Sequence, residues 1–106
     1  MKASKRRRLE QAGWRVGGIE EFLGLGKEEA VLVEMKLGLA RRLRDLRARR
    51  RLSQATVAKL LGSSQSRVAK METGDATVSI DLLVRSLLTM GASRKDIARA
   101  IAPRAA

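Results

Sequence analysis

The feature that most constrains this chain is its punctuation. After residue 52 a serine stands four times just before an apolar run, at Ser53, at Ser63-Ser64, at Ser79 and at Ser93. A glycine closes three of those runs, at Gly62, Gly74 and Gly91. A serine hydroxyl can accept from the free N–H groups of a first helical turn, and glycine adopts the left-handed backbone on which helices stop. The pattern predicts four short helices: Gln54 to Leu61, Gln65 to about Thr73, one between Ser79 and Gly91, and one between Ser93 and Pro103. Leu52 with Val57, and Val78 with Leu83, flank two of the starts at the spacing of a hydrophobic staple. Ser93 and Asp96 stand at capping-box spacing, with Asp in place of Glu.

Upstream, no proline interrupts Lys27 to about Arg50, and Leu32, Met35, Leu39, Leu43 and Leu46 recur at steps of three and four. These form one apolar stripe on a helix roughly 36 Å long. Glu28 and Glu29 fall in its first turn and arginines in its last, as the helix dipole favours. Gly38 marks either a bend or a close packing contact. Residues 19–25 read as a short helix or turn broken by Gly24 and Gly26. Trp14 and Phe22 are the only aromatics among 106 residues, so the core must be aliphatic and the expected fold is all-α. Five helices, the first of them long, follow a basic N-terminal extension. The expected division is residues 1–26 as arm and extension and residues 27–106 as one domain.

The chain has neither Cys nor His. That excludes a disulfide framework, a zinc finger and an imidazole or thiol catalyst, and no metal or cofactor is expected. Catalysis is not expected either. No apolar run approaches the ~20 residues of a membrane span, so the expectation is a soluble, cytoplasmic protein.

Charge is lopsided. Lys and Arg number 23 against 11 Asp and Glu, for a formal net charge of +12. Two stretches concentrate it. Lys2, Lys5, Arg6, Arg7 and Arg8 form a basic arm, and Arg41, Arg42, Arg44, Arg47, Arg49, Arg50 and Arg51 form a second group with only Asp45 nearby in the sequence. One reading is a solvated helix face with cations at a helix C-terminus; the other is an electrostatic footprint for a polyanion, with nucleic acid favoured.

Helices of about eight and nine residues are too short to persist alone, so the pair joined through Gly62-Ser63-Ser64 must be held by packing. The segment 54–74, QATVAKLLGSSQSRVAKMETG, closely resembles the helix-turn-helix of the lambda-type repressor/Cro (Xre) family. Val57, Leu61, Val68 and Met71 match core-facing positions. Ala58 must be small where the second helix crosses, and Gly62 supplies the turn. The resemblance implies a second helix lying in the DNA major groove, with Ser64, Gln65, Ser66, Arg67 and Lys70 at or beside base-reading positions. Gln suits adenine, Lys suits guanine, and Ser suits either. Gln54, Thr77 and Ser79 match positions that contact the phosphate backbone. Arg47 and Glu72 match an internal ion pair of the family. Lys59 reads as solvated surface.

Outside the motif, Leu87, Leu88, Met90, Ile97 and Ile101 either form a self-complementary homodimer patch or are spent on the domain's own core. Trp14 and Phe22 either close the core or dock a partner. The resemblance implies a transcriptional regulator binding a double-stranded DNA operator, with a repressor dimer on a palindromic site as the leading form. The N-terminal extension together with QSRVAKMETGD also resembles HigA-like antitoxins that bind RelE/HigB-like toxins and repress their own operon. A +12 chain is a poor electrostatic match for such a toxin, itself cationic. A non-specific RNA or nucleoid binder leaves the motif unexplained and lacks an aromatic stacking platform.

Overall fold

In the computed structural model, residues 26–103 are described. Five helices follow in order: α1 Lys27–Arg49, α2 Gln54–Leu61, α3 Gln65–Thr73, α4 Ile80–Thr89 and α5 Arg94–Ile101. There is no strand among the described residues, so this part of the chain is all-α, as expected. Residues 1–34 and 35–106 form two compact units. In the described part of the first, Ala30 is buried while Val31 and Leu32 are exposed. The 19–25 segment, the basic arm, Trp14 and Phe22 lie outside the described residues.

Each short helix starts on the serine that the sequence marks. The hydroxyls of Ser53, Ser64, Ser79 and Ser93 accept from the backbone N–H of Thr56, Arg67, Leu82 and Asp96 respectively. Of the two candidates, Ser64 and not Ser63 is the cap of α3. The capping box at α5 is complete, because the Asp96 carboxylate also accepts from the Ser93 N–H at 2.9 Å. These contacts satisfy donors that a helix start would otherwise leave unpaired.

Helix ends are equally uniform. After α2, the N–H of Gly62 donates to the Lys59 carbonyl and that of Ser63 to the Ala58 carbonyl; after α3, Gly74 donates to Met71 and Asp75 to Lys70. Gly91 and Ala92 repeat the arrangement after α4, donating to Leu88 and Leu87. All three glycines have positive φ. This is the Schellman pattern, in which two orphan carbonyls are satisfied by a left-handed turn. Helix α1 ends in the same way with no glycine: Arg51 donates to Ala48 at 3.0 Å and Leu52 to Arg47 at 3.1 Å, with Arg51 at φ 56. An L-residue in this region costs roughly 1–2 kcal/mol more than glycine does.

The core of the second unit gathers Leu39, Ala40 and Leu43 of α1, Val57 and Ala58 of α2, Val68 and Met71 of α3, and Leu83 and Leu87 of α4. Each fully buried aliphatic side chain is worth roughly 1.5–3 kcal/mol. The expected α1 stripe is therefore shorter than its periodicity. Leu39 and Leu43 are fully buried and Leu46 packs against them, but Met35 is only half-buried and Leu32 is 50% exposed. The buried face begins at Leu39 and takes in Ala40 as well.

Gly38 is a packing contact rather than a bend. A methyl group placed there would overlap the Ala100 carbonyl oxygen of α5, so the two helices meet backbone to backbone. The last two helices are likewise spent mainly on the core. Leu87 and Met90 are buried, and Ile97 and Ile101 pack against the cluster; of the five residues weighed for a dimer patch, Leu88 alone is exposed. Leu87 and Met90 are thus taken up by the domain's own core, while Ile97 and Ile101 remain partly and Leu88 largely accessible.

Candidate nucleic-acid interface

The turn between α2 and α3 follows from local chemistry. Gly62 at φ 64 ends α2, a methyl group there would meet nothing within 4 Å, and two residues later Ser64 starts α3. Ala58, 3% exposed, sits beneath the crossing with Val57, Val68 and Met71. The two short helices thus share one buried seam. Ser86 of α4 is also buried, and its hydroxyl donates to the Met71 sulfur at 3.4 Å. That bond satisfies a polar group inside an apolar cluster. A serine one residue before Leu87 on an otherwise apolar face was the available sequence signal for it.

Packing of one side of α3 decides what the other side presents. Val68, Met71 and Glu72 face inward, while Gln65, Ser66, Arg67 and Lys70 are exposed. Ser66 and Lys70 stand one turn apart on the same face. Ser64 is exposed as well, but its oxygen already accepts the Arg67 N–H at 3.1 Å. A hydroxyl that accepts a cap bond still has its own O–H to donate.

Behind α3 lies an ionic knot. Glu72 is 6% exposed, and its carboxylate accepts from Nε and Nη2 of Arg47, the latter at 2.9 Å. The geometry is bidentate, the strongest form of such a pair. A third donor is Gln54, whose Nε2 reaches Oε1 of Glu72 at 3.2 Å. Arg47 also donates through Nη1 to the Leu52 carbonyl at 3.0 Å. Glu72 hydrogen bonding holds the Arg47 guanidinium above its ordinary pKa, against an opposing effect of desolvation. The end of α1, the α1–α2 link, the start of α2 and the end of α3 are thereby joined through three side chains, Arg47, Gln54 and Glu72.

The turn after α3 is shaped by Asp75. Its Oδ1 accepts from the backbone N–H of Thr77 at 2.9 Å and from the Thr77 hydroxyl at 2.6 Å. Those bonds, with smaller contributions from Lys70 and Lys36, keep Asp75 below the usual carboxylate range. Thr77 and Ser79 are both exposed, with Ser79 capping α4. Gln54, Thr77 and Ser79 therefore each carry an internal bond, and Gln54 is only half-exposed.

The second arginine group is dispersed by folding. Arg47 goes to Glu72, Arg42 pairs with Asp96 of α5 at 3.2 Å, and the Arg50 guanidinium lies over Gly91 at the C-terminal end of α4. Arg41, Arg42 and Arg99 line an open cleft along the α1–α5 seam together with Asp45 and Asp96. Arg44, Arg49 and Arg51 are exposed. Counting along the chain finds only Asp45 beside this group. The true partners, Glu72 and Asp96, come from α3 and α5.

Among the described residues no cluster could hold a metal ion and no helix is long and apolar enough to cross a membrane. No curated protein and no solved structure matches the chain. A family model described as a helix-turn-helix domain matches residues 38–100, which covers the α1 segment from Gly38 onward, α2, α3 and α4, and α5 up to Ala100. With the seam of α2 and α3, the glycine turn and the outward face of α3 in place, the chain belongs to the helix-turn-helix domain family of lambda-repressor (Xre) type.

Proposed function

We propose that the protein is a sequence-specific transcriptional regulator that inserts α3 into the major groove of operator DNA. The observation that carries this reading is the division of α3, in which Val68, Met71 and Glu72 anchor the helix while Gln65, Ser66, Arg67 and Lys70 stand free on its outer side. Gln65 and Lys70 are the principal base readers, through an adenine edge and the guanine O6/N7 pair. Ser66, the O–H of Ser64 and Arg67 supply flanking contacts. Gln54, Thr77 and Ser79 take the phosphate backbone and set register without reading sequence.

Two or three good base contacts, each worth about 1–3 kcal/mol, discriminate poorly against a genome of competing sites. Doubling the reader answers that need. The protein acts as a homodimer on a palindromic site, with its two recognition helices ~34 Å apart, and represses by occupying the promoter. The test is a binding-site selection followed by titration of variants on the selected site and on random DNA. Gln65→Ala and Lys70→Ala should each lose about 1–3 kcal/mol on the selected site and little on random DNA. Equal losses on both would remove base reading from these residues, and no enrichment of any sequence would end the proposal.

A further inference from the structure

Four helices of this unit end in the same left-handed turn, and only one end departs from glycine. Gly62, Gly74 and Gly91 occupy the position after α2, α3 and α4; Arg51 occupies it after α1 with φ 56. Among the described residues no other non-glycine has positive φ. The hydrogen bonds around Arg51 match those at the glycines, so the turn would form equally well, and with less strain, if residue 51 were glycine. A strained residue that its surroundings do not require points to a use for its side chain. Packing is not that use, because Arg51 is exposed and takes part in no side-chain hydrogen bond or ion pair among the described residues.

Position supplies the use. Arg51 stands two residues before Ser53, the cap of α2, and three before Gln54, and the link between them is pinned by Arg47 to the Leu52 carbonyl. The start of α2 has no acidic residue in its first turn, so an anion there meets no opposing carboxylate on that helix. Of the neighbouring arginines, Arg47 is committed to Glu72 and Arg50 lies over Gly91, whereas Arg49 is exposed like Arg51 but sits on the ordinary helical backbone of α1. We infer that Arg51 is a DNA phosphate clamp, held in a left-handed turn so that its guanidinium meets the backbone strand that passes the start of α2. The inference rests on the DNA-binding reading above and adds to it a contact in the link ahead of the helix-turn-helix unit.

The experiment is a set of titrations over a range of salt with the full chain and its Arg51→Gly and Arg51→Lys variants, on the selected site and on random duplex, beside thermal melts. Arg51→Gly should melt about 2–5 °C higher than the parent as strain is relieved. It should also bind both DNAs roughly fivefold more weakly near physiological salt, with the salt slope lower by about 1, the signature of one lost phosphate. Arg51→Lys should keep the slope and bind within about twofold of the parent, since a phosphate accepts either cation. If Arg51→Gly is more stable yet binds with unchanged affinity and slope, the clamp is refuted. If it is less stable than the parent, the side chain serves the fold and the clamp is refuted as well. A loss on the selected site alone would make Arg51 a base reader and likewise overturn the proposal. A parent chain that binds neither DNA would instead strike the DNA-binding reading itself, whatever the variants do.

Discussion

Glu72 belongs to the helix that presents the outward face, yet its carboxylate is turned inward and accepts from three nitrogens of two residues. Removing it would leave the Arg47 guanidinium, whose side chain is 21% exposed, without its partner. Breaking a buried pair costs about 3–5 kcal/mol, and the residual exposure of Arg47 places Glu72→Ala near the lower end, about 3 kcal/mol. The urea midpoint should fall accordingly. In the double variant Arg47→Met/Glu72→Leu most of that loss should return, because the uncompensated charge goes with it. A double variant as unstable as the single one would mean that the pair contributes more than charge balance. At this scale the sequence was only partly legible. The pairing of Arg47 with Glu72 was implied by resemblance, whereas the third bond from Gln54 and the Ser86–Met71 bond depend on which residues the fold brings together across 18 and 15 positions of chain.

Among the helices, three glycines that look alike in the sequence do different work. Gly62 has open space where a methyl group would go, so Gly62→Ala should cost only the left-handed backbone, about 1 kcal/mol. Gly74 shares that backbone but would also press a methyl group to 3.0 Å from Cδ2 of Leu37, a side-chain end that can give way, so Gly74→Ala should cost about 2 kcal/mol. Gly38 has ordinary helical backbone, but its methyl group would run into the Ala100 carbonyl, which cannot yield without moving α5. Gly38→Ala should cost about 3 kcal/mol or more. Denaturation midpoints would rank the three, and Gly38→Ala as the mildest would contradict the backbone contact. Helix starts and glycine stops were readable because capping is local, decided by a residue and its next three neighbours. The end of α1 was not, since Arg51 sits in a run of arginines that reads as helix to the last. Nor was the true start of the α1 buried face, because periodicity shows which side of a helix is apolar and not where another helix covers it.

Over the whole unit, charge and pH act together. Asp96 is held below the usual carboxylate range chiefly by its bonds to the backbone and hydroxyl of Ser93, with a smaller contribution from Arg42. Asp75 is lowered in the same sense by Thr77. A carboxylate whose pKa is lower folded than unfolded stabilises the fold at pH values above its unfolded pKa, and that contribution is lost as pH falls through the folded value. Stability should therefore be flat with respect to these two groups near neutrality and should drop in acid, below the ordinary carboxylate range. Asp75→Asn/Asp96→Asn should be less stable than the parent at pH 7, and the deficit should shrink in acid below the ordinary carboxylate range, as read from guanidinium midpoints in the two conditions. An equal deficit at both would assign the effect to geometry rather than ionisation. The acid limb should steepen further in low salt, because protonating carboxylates raises an already large positive charge. Composition alone yields this total, and the resemblance already pairs Arg47 with Glu72, but the partner of Arg42, Asp96 of α5, is visible only once the helices are packed.

The nine residues of α3 keep stability and the proposed recognition on opposite sides: Val68, Met71 and Glu72 face the core and the ionic knot, while Gln65, Ser66, Arg67 and Lys70, the residues proposed to meet DNA, touch neither. Such a partition makes specificity evolvable. A library randomised at those four outward positions should consist mostly of folded members, so mutational drift can carry the protein from one target sequence to another without passing through unfolded intermediates.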